Sequence, residues 1–161
     1  MKKLQEKPEL SIIILTFNVE RVIKACLDSV FSYLKKDWEV IVIDNNSTDK
    51  TMEILKQVQD DSYKIIENKE NSGFAGGNNI AVQQAKGKYI LFLNPDTIVE
   101  QNTISYCLNY LEDHLDVGAA TVKIVLGNGE LDYSCHRGFP TPWNSFCFFS
   151  PCFIRKIANL W

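Results

Sequence analysis

The chain has 161 residues, 45% of them hydrophobic, which is enough for one globular domain with a core and too little for two full ones. Seventeen basic residues against twenty acidic ones give a formal charge of -3, and no basic run marks a groove for a nucleic-acid backbone, so nucleic acid is not expected as a partner. Five cysteines without CxxC spacing and only two histidines support neither a disulfide framework nor a zinc site.

The opening "MKKLQEKPEL" carries two lysines with no apolar stretch behind them, unlike a signal peptide, so a cytoplasmic location is expected. "LSIIIL" (10–15) is a short apolar, β-rich run of the kind found in strands covered on both faces. After "TFN", Val22, Ile23, Cys26, Leu27, Val30, Phe31 and Leu34 recur at helical spacing. A second strand is expected in "WEVIVID" (38–44). The segment "NNSTDKTMEILKQVQ" then opens on Asn, Ser and Thr, residues that cap helices well. "YKIIE" reads as a third strand. It is followed by a glycine-rich loop, "NSGFAGGNN" (71–79), a short helix ending at Gly87, and the strand "KYILFL" (88–93). Strands alternating with helices imply an α/β fold, a mostly parallel sheet with helices on both faces.

Beyond this point "TISYCLNYLEDH" places Ile104, Cys107, Leu108 and Leu111 at helical spacing, and "VGAATVKIVLGNGELDYS" reads as a hairpin about "GNG". Cys26 and Cys107 fall on apolar helix faces and are expected to be core thiols. The expected division is a domain over 1–138 and an aromatic tail over 139–161, rich in Phe, Trp and Pro. That tail contains Phe139, Trp143, Phe146, Phe148, Phe149, Phe153 and Trp161, with Arg137, Arg155 and Lys156 bracketing or interrupting it. Apolar surface of this kind closes the domain as core, drives self-association, or meets the membrane peripherally.

Ligands of open parallel sheets lie beyond the carboxyl ends of the strands. Three polar clusters fall there: Thr16 and Asn18 after the first strand, "DNNSTD" (44–49) after the second, and "NPDT" (94–97) after "KYILFL". Asp44 could accept hydrogen bonds from a ribose or base, or cap the helix that follows. Asn94 and Asp96, two apart in extended chain, could face one divalent ion, or close a plain Asn-Pro-Asp turn. The glycines either make a turn or admit a phosphate or sugar to a helix start. A dinucleotide-binding fold requires G-x-G-x-x-G after the first strand, where this chain has "TFNVER", and a Walker loop is absent too.

Taken together, "SIIILTFN", "VIVIDNNSTDKT" and "NSGFAGGNNIAVQQAKGKYILFLNPDT" resemble the nucleotide-sugar-binding half of the family 2 glycosyltransferases, which have the Rossmann-like GT-A fold. The resemblance covers residues 10 to about 125. "NSGFAGGNN" and "LNPDT" look like the rhamnosyltransferase branch, whose donor is often dTDP-L-rhamnose. The resemblance implies that Thr16, Asn18 and Asp44 border the nucleoside and that Gly76, Gly77 and Asn78 border the donor, with Asn46, Gly73 and Asn94 also expected to be donor-binding. It also makes Asp96 the metal carboxylate of the family's Asp-x-Asp motif, with Asn94 in place of the first Asp. The missing carboxylate lowers the negative charge available to the metal.

The implied function is inverting transfer of a sugar, from dTDP-rhamnose or a UDP-sugar, to a polysaccharide or lipid-linked acceptor, with Mg²⁺ or Mn²⁺ as cofactor. The family's catalytic base is a carboxylate of the acceptor-binding half, expected beyond "TPWNSFCFFSPCFIRKIANLW" and so not expected among these residues. Glu130 and Asp132, the nearest downstream acids, belong to the expected hairpin. The rival reading is a nucleotide-sugar-binding module without transfer activity. A nucleotidyltransferase is disfavoured because "LTFNVE" lacks a glycine-rich signature.

Overall fold

Leu10–Thr16 forms β1, in which every residue is buried except the half-buried Leu15. In the computed structural model, which describes residues 7–58 and 63–132, β1 lies inside a four-stranded sheet. The other strands are β2 (Trp38–Asp44), β3 (Tyr63–Glu67) and β4 (Tyr89–Leu93), in the order β3-β2-β1-β4. Every pairing is parallel: Ile12 sits beside Val40 and Leu91, and Val42 beside Ile65. A strand flanked on both sides and covered on both faces has no polar face to show, hence the unbroken apolar run of β1.

Alternation along the strands divides the core in two. Ile12, Ile14, Val40 and Val42 face the helices α1 (Ile23–Ser32), α2 (Thr51–Lys56) and α4 (Thr103–Asp113), packing on Cys26, Leu27, Val30, Leu55, Ile104 and Leu108. Ile13, Ile41 and Ile43 face α3 (Gly73–Val82), through Ala81. Among the described residues the second layer is the thinner one. On its side of β4, Ile90 and Phe92 stay 40% and 53% exposed.

Two local expectations change. First, the glycine stretch is no loop: Gly73, Gly76 and Gly77 form the first turns of α3. Glycine's poor helix propensity is overridden by packing, because the helix axis runs close to the sheet. A Cβ on Gly77 would lie 2.4 Å from Leu15 Cδ1, and one on Gly76 would lie 2.9 Å from Ser72 Cβ. Second, α2 is not capped by Asn, Ser or Thr. Its first N–H, that of Thr51, donates to Asp49 Oδ1 at 2.9 Å, while Ser47 and Thr48 are drawn into contacts with the end of β1. The hairpin about "GNG" is present among the described residues as a tight turn with the antiparallel bridge Val125–Leu131. Gly129, at φ +83, supplies the left-handed residue of that turn, and its N–H donates to the Leu126 carbonyl at 2.8 Å.

After α3 the chain returns across the start of β1. Gly87 N–H donates to Ser11 Oγ at 2.8 Å, Ser11 donates to Glu39 Oε1 at 2.6 Å, and Lys86 N–H donates to the same carboxylate oxygen at 2.7 Å. A Cβ on Gly87 would stand 2.4 Å from the Ser11 backbone nitrogen, so the crossing requires glycine. Lys88 and Tyr89 both bind the Glu112 carboxylate, tying the start of β4 to the end of α4.

Chain contacts separate two units, Met1–Glu112 and Asp113–Trp161. The described part of the second is the segment leading into and around the 127–129 turn. The aromatic tail, with Cys135, Cys147 and Cys152, lies outside the described residues. Cys26 is a buried thiol as expected, whereas Cys107 is only half-buried.

Candidate functional site

In a parallel sheet all carboxyl ends share one edge, and here they bring Thr16, Asp44 and the start of the 94–97 segment together. Thr16 is the register partner of Asp44, and Leu93 pairs with Ile14. Asn18 and Asn46, just past β1 and β2, both adopt left-handed backbone at φ +53 and +68. Asparagine tolerates this conformation better than most residues. Such turns reverse each strand abruptly and leave both side chains exposed at the edge.

The two turns are stitched to each other. Asn18 N–H donates to Ser47 Oγ at 2.9 Å, and Asn18 Oδ1 accepts Thr48 N–H at 2.8 Å. Val19 N–H reaches Thr51 Oγ1 at 2.9 Å, and Glu20 N–H reaches Asp49 Oδ2 at 3.1 Å. Desolvation pushes the Asp49 carboxyl up, but hydrogen bonds from Thr51 and from the Glu20 N–H together hold it below its usual range.

The candidates divide by accessibility. Thr16 and Asp44 are buried. Asp44 Oδ1 accepts the Thr16 hydroxyl at 2.9 Å and the Ser47 hydroxyl at 2.6 Å, and Oδ2 accepts Ser47 N–H at 2.8 Å. Asp44 therefore orders the edge from beneath and does not cap α2. Gly77 and Asn78 are buried as well, Asn78 donating to the Phe74 carbonyl one turn earlier at 2.9 Å. Gly76 is half-buried, while Asn18, Asn46, Gly73, Asn94 and Asp96 are exposed.

Asn94 to Thr97 is a turn closed by Thr97 N–H on the Asn94 carbonyl at 3.2 Å, with Pro95 and Asp96 at its corners. The extended geometry expected for this pair is absent, because the fixed φ of proline suits a turn corner. Helix α1 holds the turn from below. Cys26 Sγ donates to the Asn94 carbonyl at 3.7 Å, and Ser29 Oγ accepts Val99 N–H at 3.0 Å. Burial, and then the negative charge of Asp96, push the Cys26 thiol up to about 11.

The side chains of Asn94 and Asp96 have no hydrogen-bond partner among the described residues, and no group of three or more His, Cys, Asp or Glu gathers there or elsewhere among them. One free carboxylate with a neighbouring amide does not suit zinc. It fits Mg²⁺ or Mn²⁺, which take few protein ligands and complete their shells with phosphate oxygens and water. A shallow groove lined by Tyr33, Lys35, Trp38 and Asn102 lies by the start of β2 and includes none of these residues.

Asn45 lies inside the cluster "DNNSTD" but was not singled out from the sequence. It is 2% exposed, and its side chain binds Asn68, Asn71, Ser72 and Gly73. The available signal was its place immediately after a buried strand, where a polar side chain must find partners.

A parallel sheet with helices on both faces and a polar edge at its carboxyl ends defines an open α/β protein, the class whose ligands bind at that edge. The Glycosyl transferase family 2 model matches residues 11–157, so the chain belongs to that family. Its fold is GT-A. TarS of Staphylococcus aureus, a poly(ribitol-phosphate) beta-N-acetylglucosaminyltransferase, is 32% identical over 124 residues, covering 74% of this chain and 22% of that protein. A crystal structure of TarS 1-349 in complex with UDP-GlcNAc matches with a TM-score of 0.62 and 26% identity, over 75% of this chain and 41% of that one. WfaP of Escherichia coli, a UDP-Glc:alpha-D-GlcNAc-diphosphoundecaprenol beta-1,3-glucosyltransferase, is 36% identical over 102 residues, covering 63% of this chain and 41% of that protein. The mannosyltransferase PcManGT from Pyrobaculum calidifontis, in complex with GDP-Man and Mn2+, shares the fold at a TM-score of 0.61 and 23% identity, over 74% of this chain and 35% of that one. The chain thus spans less than half the length of each.

Proposed function

We propose that these residues form the donor side of an inverting, metal-dependent glycosyltransferase, which passes a sugar from a nucleoside-diphosphate sugar to a polysaccharide or lipid-linked acceptor in the cytoplasm or at the inner membrane face. The observation that carries this reading is the exposed carboxylate of Asp96. It is held at the sheet's carboxyl edge by α1 with no hydrogen-bond partner among the described residues, in a chain of this family. The named activities of TarS and WfaP support the donor class and the two acceptor classes, and the Mn2+ of PcManGT supports a divalent ion.

Asn18 and Asn46 border the nucleoside, resting on the Thr16–Asp44–Ser47 cluster. The exposed start of α3 borders the donor beyond it. Asp96, with Asn94, holds the ion, Mg²⁺ or Mn²⁺, which when bound neutralises charge developing on the departing nucleoside diphosphate. The finer donor assignment, dTDP-rhamnose, rests on "NSGFAGGNN" and "LNPDT" alone.

Calorimetry tests the reading. UDP or dTDP is expected to bind with Mn²⁺ and to lose most of its affinity with chelator or in Asp96→Asn. Equal binding with chelator present overturns the metal role. If dTDP-rhamnose competes no better than UDP-glucose, the rhamnosyl assignment falls and the donor-site reading stands. Donor hydrolysis without acceptor separates a transferase from a binding module.

A further inference from the structure

The geometry points to Asn45 as a positioning residue that sets the start of α3, and with it the donor-facing end of that helix, from the end of β2. This rests on the donor-site reading for its functional half only.

Asn45 follows Asp44 directly, and its N–H donates to the Thr16 carbonyl at 2.8 Å, continuing the β1–β2 ladder. Its side chain leaves the ladder and faces the β3–α3 connection. Nδ2 donates to Asn71 Oδ1 at 2.8 Å and to the Gly73 carbonyl at 3.2 Å. Oδ1 accepts Asn68 Nδ2 at 2.8 Å, Ser72 Oγ at 3.1 Å and Ser72 N–H at 3.2 Å. Asn71 Oδ1 also accepts Gly73 N–H at 2.9 Å, so Asn45 holds the acceptor that receives the first amide of α3.

A single amide thus supplies what the start of α3 lacks. Ser72, the cap residue, makes no side-chain cap bond, and Gly73 sits at φ +73, a conformation needing support from outside the helix. A Cβ on Gly77 would lie 3.5 Å from Asn45 Nδ2, so the same amide also underlies the second turn. An aspartate could not replace it, because a carboxylate would set an acceptor against Asn71 Oδ1 and the Gly73 carbonyl. A hydrophobic residue would remove all five of these bonds.

Two variants and two readouts test this. Asn45→Asp keeps the shape and the Oδ1 acceptor while removing both donated bonds, and Asn45→Ala removes everything. Residue-resolved amide hydrogen exchange, needing no ligand, is expected to show faster exchange at Gly73 in both variants. Ser72 should stay protected in Asn45→Asp and lose protection in Asn45→Ala. The β1 and β2 amides should change far less. Acceleration spread evenly over the sheet, or none at Gly73, overturns the assignment, since a role in global stability alone gives no such local pattern. UDP with Mn²⁺ is the second probe, and its affinity should fall by about tenfold in Asn45→Asp. A wild-type protein that binds UDP while Asn45→Asp binds it equally well overturns the positioning role. A wild-type protein that binds neither UDP nor dTDP overturns the donor-site reading, and the exchange pattern still decides the structural assignment.

Discussion

Two residues keep polar hydrogens in the core at high pH. Burial raises the Tyr63 hydroxyl well above its ordinary value, and Oη has no hydrogen-bond partner among the described residues. Its ring packs edge-on against Phe31 at 5.7 Å between centroids. Cys26 is pushed up to about 11 from 9.0 by burial and by Asp96. Both groups ionise more readily unfolded than folded, so the stability they permit is complete below about pH 9 and falls as pH rises through 11. Tyr63→Phe is expected to leave stability at pH 7 unchanged or up to about 1 kcal/mol higher, since it removes an unpaired buried hydroxyl. It should also reduce the alkaline loss. Thermal melts between pH 7 and pH 11 check both, and a clear loss of stability at pH 7 would show that the hydroxyl is paired after all.

The elements differ in how far sequence alone reveals them. The central strands β1 and β2 were legible because a parallel strand buried on both faces leaves an unbroken apolar run, and β2 runs over Trp38–Asp44 as expected. The start of α3 was not, because three glycines read locally as a loop while the close approach of Leu15 is a tertiary fact. The Asn94–Asp96 pair was read as extended because strand periodicity was carried past Leu93, where Pro95 turns the chain. Asn45 escaped because its partners lie 23 to 28 residues downstream. With the glycines inside a helix, Gly76→Val acquires a structural cost: its Cβ would meet Ser72 Cβ at 2.9 Å and press on the residue that Asn45 holds. Overpacking of this kind costs about 1–3 kcal/mol. The substitution should therefore lower thermal stability and nucleotide affinity together, as scanning fluorimetry and calorimetry on one preparation would register. Lost affinity at unchanged melting temperature would return Gly76 to a role in ligand approach alone.

Among the described residues, the apolar surface is unevenly covered: three helices pack on one side of the sheet and α3 on the other. Phe17, Phe74 and Phe92 are 46%, 67% and 53% exposed within the first unit. No described helix is long and apolar enough to cross a membrane. Exposed aromatics on this scale, together with the aromatic composition of 139–161, lead to an expectation of self-association or peripheral binding to anionic lipid. Light scattering should give a mass above that of the monomer, or flotation should carry the protein with anionic liposomes. A strictly monomeric protein that ignores lipid and binds no dye for apolar surface would refute this.

The place of β1 between β2 and β4 also governs when the sheet can close during synthesis. Leu10 pairs with Trp38 on one side and with Tyr89 on the other, so the earliest synthesised of these four strands waits for the latest before both its edges are flanked. At about 5–20 residues per second, Ile12, Ile13 and Ile14 wait several seconds for β4, with one strand edge unpaired. During that interval the nascent chain presents its most apolar segment to chaperones and to neighbouring chains.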